Sequence, residues 1–358
     1  MNTGKLSEHL DSMRIRYPDR PLQVSIQLWG RGTDFSYGTR AADGATRRFH
    51  TASIGKLLTA TVIVRMIEAG RLDLETPLAS LLPADTLDDL FVLGGADHRD
   101  RVTVEHLLGH TSGVADYFAG IYGGRTRGQR FTDRVVTEPD HLWTPAELLA
   151  CSRDAQKPVA PPGERFHYSD SGYVLLGMIA EGIDGASFGN VLDRWVFEPA
   201  GMSDSRLAFD TTGVLHELPA IDPVWLHGHE ISGFTSLSCD WAGGGVLTTA
   251  EDLQRLNRFF WGEGVSDAHR AAMMQPRHRF HRGLWYGLGM MELRLGEFSW
   301  FLRRLPRCYG HIGVLGTHLW YDPASGCSIV INVGDTGAMN RSFRLLIRLM
   351  VAVEKSLR

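Results

Sequence analysis

Cysteine is scarce in this chain of 358 residues: four, at Cys151, Cys239, Cys308 and Cys327, with no Cys-x-x-Cys pairing. A disulfide framework or a thiolate metal cage needs grouped spacing, so these read as free thiols of a reducing compartment. Long apolar runs are missing too. The best stretch, Leu57 to Ala69, is interrupted by Arg65 and Glu68 and falls short of the roughly 20 residues that span a bilayer. Residues 1–20 are polar and carry Lys5, Arg14 and Arg16, without the apolar centre and small-residue cleavage site of a secretory signal. A cytoplasmic location with no membrane span is therefore expected. Excess charge of either sign is absent as well. The 37 basic and 41 acidic residues leave a net charge of −4, which gives no footprint for nucleic acid or an anionic membrane. The basic clusters Arg125 to Arg134 and Arg303 to Arg307 are short enough to read as solvated faces.

Several chemistry-bearing motifs are also missing. No His-Glu-x-x-His occurs, and His227-Gly228-His229-Glu230 reads as a polar turn, with His229 a possible cleft residue, so no metal is expected. Gly243-Gly244-Gly245 is not followed by Lys-Ser/Thr, which makes it a tight turn into a strand and not a phosphate loop. There is no Gly-x-Ser-x-Gly elbow; Thr51-Ala52-Ser53-Ile54-Gly55 only approaches one, which argues against the α/β-hydrolase fold. No internal repeat or low-complexity segment is visible.

What is present is an ordinary globular composition, 43% hydrophobic and 22% charged, in a chain long enough for two lobes. A helix over Leu6 to Arg16 leads into strands at Leu22 to Trp29 and Asp34 to Thr39, joined by Gly30-Arg31-Gly32 as a hairpin. From Leu78 to Phe234 the pattern is loop-rich and helical, with helices at Thr103 to Leu108, Pro145 to Cys151, Gly172 to Glu181 and Phe188 to Val196. A capped helix, Thr249 to Phe260, precedes strands at Leu284 to Leu295, Phe298 to Leu302, Val314 to Tyr321 and Cys327 to Val333. An amphipathic helix, Asn340 to Lys355, closes the chain. Short connections between consecutive strands predict antiparallel pairing. The expected architecture is α/β (α+β): one antiparallel sheet built from residues 1–77 and 235–358, flanked by terminal helices, with residues 78–234 inserted as a mostly helical lobe. The site would lie at their junction, where clefts commonly form.

Ser53-Ile54-Gly55-Lys56 stands at the entrance of the apolar run that ends at Gly70, a C′ glycine by position. Residues three apart share a helix face, so the Lys56 ammonium can reach the Ser53 hydroxyl. Lost solvation is expected to lower the lysine pKa and make the serine an activated nucleophile. A Ser-x-x-Lys match arises about once by chance in a chain of this length, so the neighbours decide. Tyr168-Ser169-Asp170 follows a Pro161-Pro162-Gly163 turn and opens a helix. A nearby cation is expected to lower the Tyr168 pKa for proton exchange with the serine, and Asp170 can orient Lys56 by a charge-assisted hydrogen bond. His311-Ile312-Gly313 is placed at the start of the Val314 strand, where the glycine would admit substrate to an edge strand and the Val314 N–H would help hold an oxyanion. His110-Thr111-Ser112-Gly113 is a turn after a short helix.

In order and separation, Ser53-x-x-Lys56, Tyr168-Ser169-Asp170 and His311-x-Gly313 resemble the motifs of the penicillin-recognising serine enzymes, specifically the class C β-lactamase-like superfamily. That superfamily includes D-alanyl-D-alanine carboxypeptidases, D-aminopeptidases, family VIII esterases and some acyltransferases. The blocks Phe49 to Ser53, Ile67 to Leu74, Leu107 to Gly113 and Gly243 to Leu253 resemble its flanking segments, so the likeness covers nearly the whole chain.

The resemblance implies that Ser53 is the nucleophile, that Lys56 and Tyr168 share the general-base and general-acid work, and that the Ser53 and Val314 N–H groups form the oxyanion hole. Asp170, His311 and Gly313 would support or bind substrate. Asp170 stands where most relatives carry Asn, which should keep Lys56 charged and shift the base role toward Tyr168. His311 replaces the lysine of true β-lactamases. Being only partly protonated near neutral pH, it should recognise a substrate carboxylate weakly. Glu138 lies upstream of Tyr168, so the deacylating glutamate of class A β-lactamases has no counterpart. The expected activity is hydrolysis of a small ester or amide, an ester first, without a cofactor. Acyl transfer, peptidase or β-lactamase action and a catalytically silent binding protein are the alternatives, and oligomeric state is open. Specificity would reside in the loops Asp116 to Trp143 and Asp210 to Ser236, with one or two tryptophans shaping an apolar pocket.

Overall fold

The computed structural model describes residues 3–122, 129–209 and 221–357; parts of both expected specificity loops lie outside the described residues. The principal sheet has eight strands: β1 (Gln23–Leu28), β2 (Thr33–Tyr37), β3 (His278–His281), β4 (Leu284–Tyr286), β5 (Met291–Leu293), β6 (Cys308–Gly313), β7 (Thr317–Asp322) and β8 (Cys327–Asn332), in the order β3-β4-β5-β6-β7-β8-β1-β2. Every pairing is antiparallel. Strands from the two ends of the chain pair next to the β2 edge, with Ile26 opposite Ile329 and Val24 opposite Ile331.

Alternation along the strands divides the apolar side chains between two cores. Val24, Ile26, Trp320, Ile329 and Ile331 face the terminal helices α1 (Thr3–Arg16) and α5 (Met339–Leu357), where Leu10, Leu346 and Leu349 are fully buried. Leu319 and Val330 face the other way, into a larger core with α2 (Gly55–Glu68), α3 (Asp170–Asp184) and α4 (Ala250–Phe259). On that second face Ser25 and Ser328 meet Gln254 and Asn257 of α4, and Asn257 Nδ2 donates to Ser328 Oγ at 2.8 Å. Helix α2 is buried nearly all round, because its sequence is apolar nearly all round. Helix α4 is capped by Thr249, whose hydroxyl accepts from the Asp252 N–H at 3.1 Å.

Three expectations about elements are corrected. Phe298 to Leu302 is not a strand: two single 3₁₀ turns, Leu295–Glu297 and Trp300–Leu302, occupy this stretch. Its apolar residues mimic a strand, but only Phe298 and Leu302 pack against the sheet's core, while Trp300 and Phe301 are exposed. Gly243 and Gly244 close a helical turn, Trp241–Gly244, before the strand Val246–Thr248, and do not form a bare tight turn. His311 to Gly313 ends β6 and does not begin the next strand; Val314 to Gly316 form the turn into β7. Strand β6 is interior, yet β5 pairs only with Cys308 to Gly310, which leaves His311 to Gly313 with one open edge.

Among the described residues no helix is long and apolar enough to cross a membrane. Leu349 ties α5 to the sheet with no exposed surface. Leu349→Ala should cost about 3 kcal/mol of unfolding free energy in urea denaturation; a loss below about 1 kcal/mol would mean that α5 is only loosely docked.

Candidate active site

Ser53 lies in a single 3₁₀ turn, Ala52–Ile54, that runs directly into α2. Ala52 is held at φ +48°, a left-handed conformation that is costly for a residue with a Cβ. Packing enforces it. A Cβ at Gly313 would stand 2.8 Å from Ala52 Cβ and 2.7 Å from Thr51 O, so only glycine lets the serine turn seat against β6. Thr317 Oγ1 donates to Thr51 O at 2.9 Å and locks the same junction. Gly313 thus seats the serine turn, and it also lines the cavity to which substrate access was expected.

Lys56, in the first turn of α2, is fully buried. Its ammonium donates to Ser53 Oγ at 3.3 Å and to Gly243 O at 2.9 Å, and forms an ion pair with Asp170 at the start of α3. Gly243 is obligatory here, because a Cβ would stand 2.6 Å from Asp170 Oδ1. Burial alone would push the lysine pKa down, as the sequence suggested. Asp170, joined by Tyr168 and Asp240, outweighs burial and raises it, so Lys56 is a fixed cation.

The Tyr168 ring lies beside Lys56, whose ammonium is 5.0 Å from the ring centroid, and Ser53 and Lys56 both pull the phenol pKa downward. Lys56 was expected to lower its pKa. It does pull downward, but burial is the larger influence and, with Asp170, pushes the phenol up to about 12. Behind Tyr168 stands His110, held at φ +57°, its ring centroid 4.3 Å from that of Tyr168. The His110 Nδ1 accepts from the Ser169 N–H at 3.1 Å. Burial, with Lys56, lowers its pKa well below the usual histidine range, so this ring is a neutral brace for the Tyr168 turn.

His311 departs further from expectation. It is fully buried and does not line the cavity. Its Nδ1 is 2.9 Å from Ile312 O and its Nε2 is 3.3 Å from the Tyr286 hydroxyl. Burial first, then Lys56, lower its pKa to about 3, so the ring is neutral and not partly protonated.

Two further carboxylates stand close by. Asp116 accepts from the Asp170 N–H at 2.9 Å and from the Ala119 N–H at 2.9 Å. Burial and Asp170 raise its pKa to about 7, and the same two causes raise that of Asp240 to about 7. His50 Nε2 approaches Asp240 Oδ2 at 3.8 Å, but burial holds that imidazole at about 4, so the contact is not an ion pair at neutral pH. Asp116 and Asp240 carry no local signature; each is a single carboxylate that folding brings to Lys56.

Ser53, Tyr168, Asp170, Gly313 and Val314 all line one cavity of about 970 Å³. The Val314 N–H lies in the turn beyond β6, across from the serine turn. No tryptophan lines the described part of the cavity; Phe118, Phe280, Phe298 and Phe343 do. His227 lines it, and His229 does not. Among the described residues no group of three or more His, Cys, Asp or Glu side chains could hold a metal ion. The arrangement sets a serine hydroxyl and a tyrosine phenol on one cavity, with a buried lysine cation behind them.

Comparison with known proteins gives concordant matches. The family model described as Beta-lactamase matches residues 30–349. Penicillin-binding protein 4 of Amycolatopsis lactamdurans is 30% identical over 239 residues, covering 64% of this chain and 55% of that protein. The chain spans about half the length of the curated relatives it matches in this way. A penicillin-binding protein from Bacillus halodurans superposes with TM-score 0.71 at 25% identity, over 95% of this chain and 100% of that one. The D-amino acid amidase of Ochrobactrum anthropi SV3 shares the fold with TM-score 0.77 at 18% identity, over the full length of both chains.

The raised carboxyls carry a stability signature. An unfolded aspartate titrates near ~3.9, whereas Asp116 and Asp240 titrate at about 7 in the fold. Between these values the folded state binds more protons at these two carboxyls than the unfolded chain does, so their contribution to stability falls as pH rises through this window and levels above about 7, while the lowered His50, His110 and His311 act in the opposite sense. The thermal midpoint of Asp240→Asn should therefore decline less than that of wild type over the same range. Parallel curves would show that Asp240 ionises normally.

Proposed function

This chain belongs to the Beta-lactamase family, and from that premise we propose that it is a serine hydrolase acting on a small carboxylic ester or amide through a Ser53 acyl-enzyme. The observation that carries the reading is the placing of Ser53 and Tyr168 on one cavity with the buried Lys56 ammonium behind them, 3.3 Å from Ser53 Oγ and 5.0 Å from the Tyr168 ring centroid. In this proposal the working form has lost one proton, from Tyr168. The phenolate, beside the Lys56 cation, takes the Ser53 proton as Oγ bonds to the substrate carbonyl carbon. The Ser53 and Val314 N–H groups receive the oxyanion. Collapse breaks the bond to the leaving oxygen or nitrogen, which takes the proton from Tyr168. Water then adds to the acyl-enzyme by the same relay and releases the acid.

Lys56 works here as a fixed charge that favours the phenolate, because Asp170 keeps it protonated. Asp170 and Gly313 are positioning residues, for Lys56 and for the serine turn, and neutral His311 holds Tyr286. That neutrality speaks against His311 as a partner for a substrate carboxylate, and so favours esters and simple amides over β-lactams. We include in the proposal the division into residues 1–77 with 235–358 and an inserted lobe 78–234, and a cytoplasmic location.

A fluorophosphonate should add its mass to wild type on Ser53 and leave Ser53→Ala unlabelled; labelling that persists in the variant would sink the assignment. The phenol that titrates at about 12 also sets the pH profile. Since only the deprotonated form reacts, kcat/KM should rise continuously from about pH 6 to about pH 9. A plateau beginning near pH 7 would place the base on another group.

A further inference from the structure

The cavity around Ser53 is chemically lopsided. At one end stand Asp116, Arg130, Thr132 and Asp240. The other end is a mainly apolar arm walled by Phe280, Leu284 and Met291 from the sheet, Phe298 from the 3₁₀ cap, and Phe343 and Ile347 from α5, with His281, Asn340 and Arg344 of the same elements also lining the cavity. Phe343 and Ile347 are four apart and so lie on one face of their helix, turned to the sheet. The arm is a gap left between the sheet and its covering helix, where neighbouring residues such as Leu346 and Leu349 are fully packed. Phe280, at its mouth, is 39% exposed, although its ring contacts those of Phe166 and Tyr168.

The position of the arm relative to the proton relay gives it a role. Phe280 packs on Tyr168, with ring centroids 5.1 Å apart, so the arm begins against the phenol. Tyr168 is the group that returns a proton to the departing atom in the proposed reaction. The departing half of the substrate must therefore lie on the Tyr168 side, at the entrance of the arm.

We infer that the apolar arm is the leaving-group pocket, and that the preferred substrates are esters or amides whose alcohol or amine half is a bulky hydrocarbon, aryl or medium-length alkyl. The acyl half faces the end with the carboxylates and Thr132. This deepens the serine-hydrolase proposal and rests on it. It assigns Phe280, Phe298, Phe343 and Ile347 to specificity, not to bond-breaking. No new chemical step is involved: the same ester bond breaks, and the alcohol leaves with the proton from Tyr168.

Two ester series on the wild-type full chain test it. In one, acetate is held constant and the alcohol grows from methanol to 1-octanol; in the other, methanol is held constant and the acid grows from acetic to octanoic. Primary alcohols differ little in intrinsic leaving ability, so the first series reads binding of the hydrocarbon. Each methylene buried in the arm is expected to raise kcat/KM by about threefold to fourfold, until the arm is full, with a much flatter response in the acyl series. A steeper acyl series, or a flat alcohol series, overturns the inference. Ile347→Trp, checked for native folding by its circular dichroism, should move the optimum to shorter alcohols; an unchanged optimum counts against the arm. Fluorophosphonate labelling of Ser53 separates the two levels. A labelled enzyme with a flat alcohol series removes only the pocket assignment, whereas an enzyme that is neither labelled nor active on either series removes the hydrolase reading as well.

Discussion

The buried ion pair between Lys56 and Asp170 is the constraint on which the site depends. Taking both charges out of water costs several kcal/mol per ion, which their attraction offsets only with good geometry and additional hydrogen bonds. Here the ammonium also donates to Gly243 O and Ser53 Oγ, and Asp170 sits at the start of α3, where the helix dipole favours an anion. The pair thereby pins α2 to α3 and to the Trp241–Gly244 turn. It also accounts for residues that do no chemistry: Gly243 leaves room for Asp170, and Asp116 anchors the first amide of α3. Losing either partner would strand a charge in an apolar interior.

Around this pair the layers divide the labour. The larger core, built by α2, α3 and α4, holds the polar relay rigid. The sheet contributes Ile312 and Gly313 at the open edge of β6 and the Val314 turn, which line the cavity together with Ser53. The second core, between sheet and terminal helices, is incomplete where it reaches the site, and its gap becomes the apolar arm. Catalytic polarity and substrate-sized apolar surface thus come from different cores that meet at Ser53.

Much of this was legible in the sequence, for identifiable reasons. The uncharged, mostly apolar run Leu57 to Val64 announces a helix buried all round, and a Ser-Lys spacing of three puts both groups on one face of its entrance. The carboxylate of Asp170 pointed to a charged Lys56, against the first expectation from burial alone. Other features were hidden because they arise from tertiary contacts. Whether His311 faces the cleft or the interior depends on the strand's pleat and on Tyr286, 25 residues away. Strand β6, with Gly310 and Gly313 within it, lacks the composition of a strand and went unrecognised, as did β3 with its polar His278 and His281. Asp116 and Asp240 are ordinary loop carboxylates until the fold sets them beside Lys56. Phe298 reads as a strand residue, yet it caps the sheet and walls the cavity.

The central claim is that Lys56 is a permanent cation and that the proton of Ser53 passes to Tyr168. The chain has only four lysines, Lys5, Lys56, Lys157 and Lys355, so the Lys56 side-chain resonance is readily assigned by comparing wild type with Lys56→Arg. Its protonation can then be followed directly by NMR of protein carrying ¹³Cε-lysine. The account predicts that Lys56 shows no deprotonation up to about pH 10. A Lys56 signal that titrates near pH 7 to 8 would contradict it, and would return the base role to the lysine.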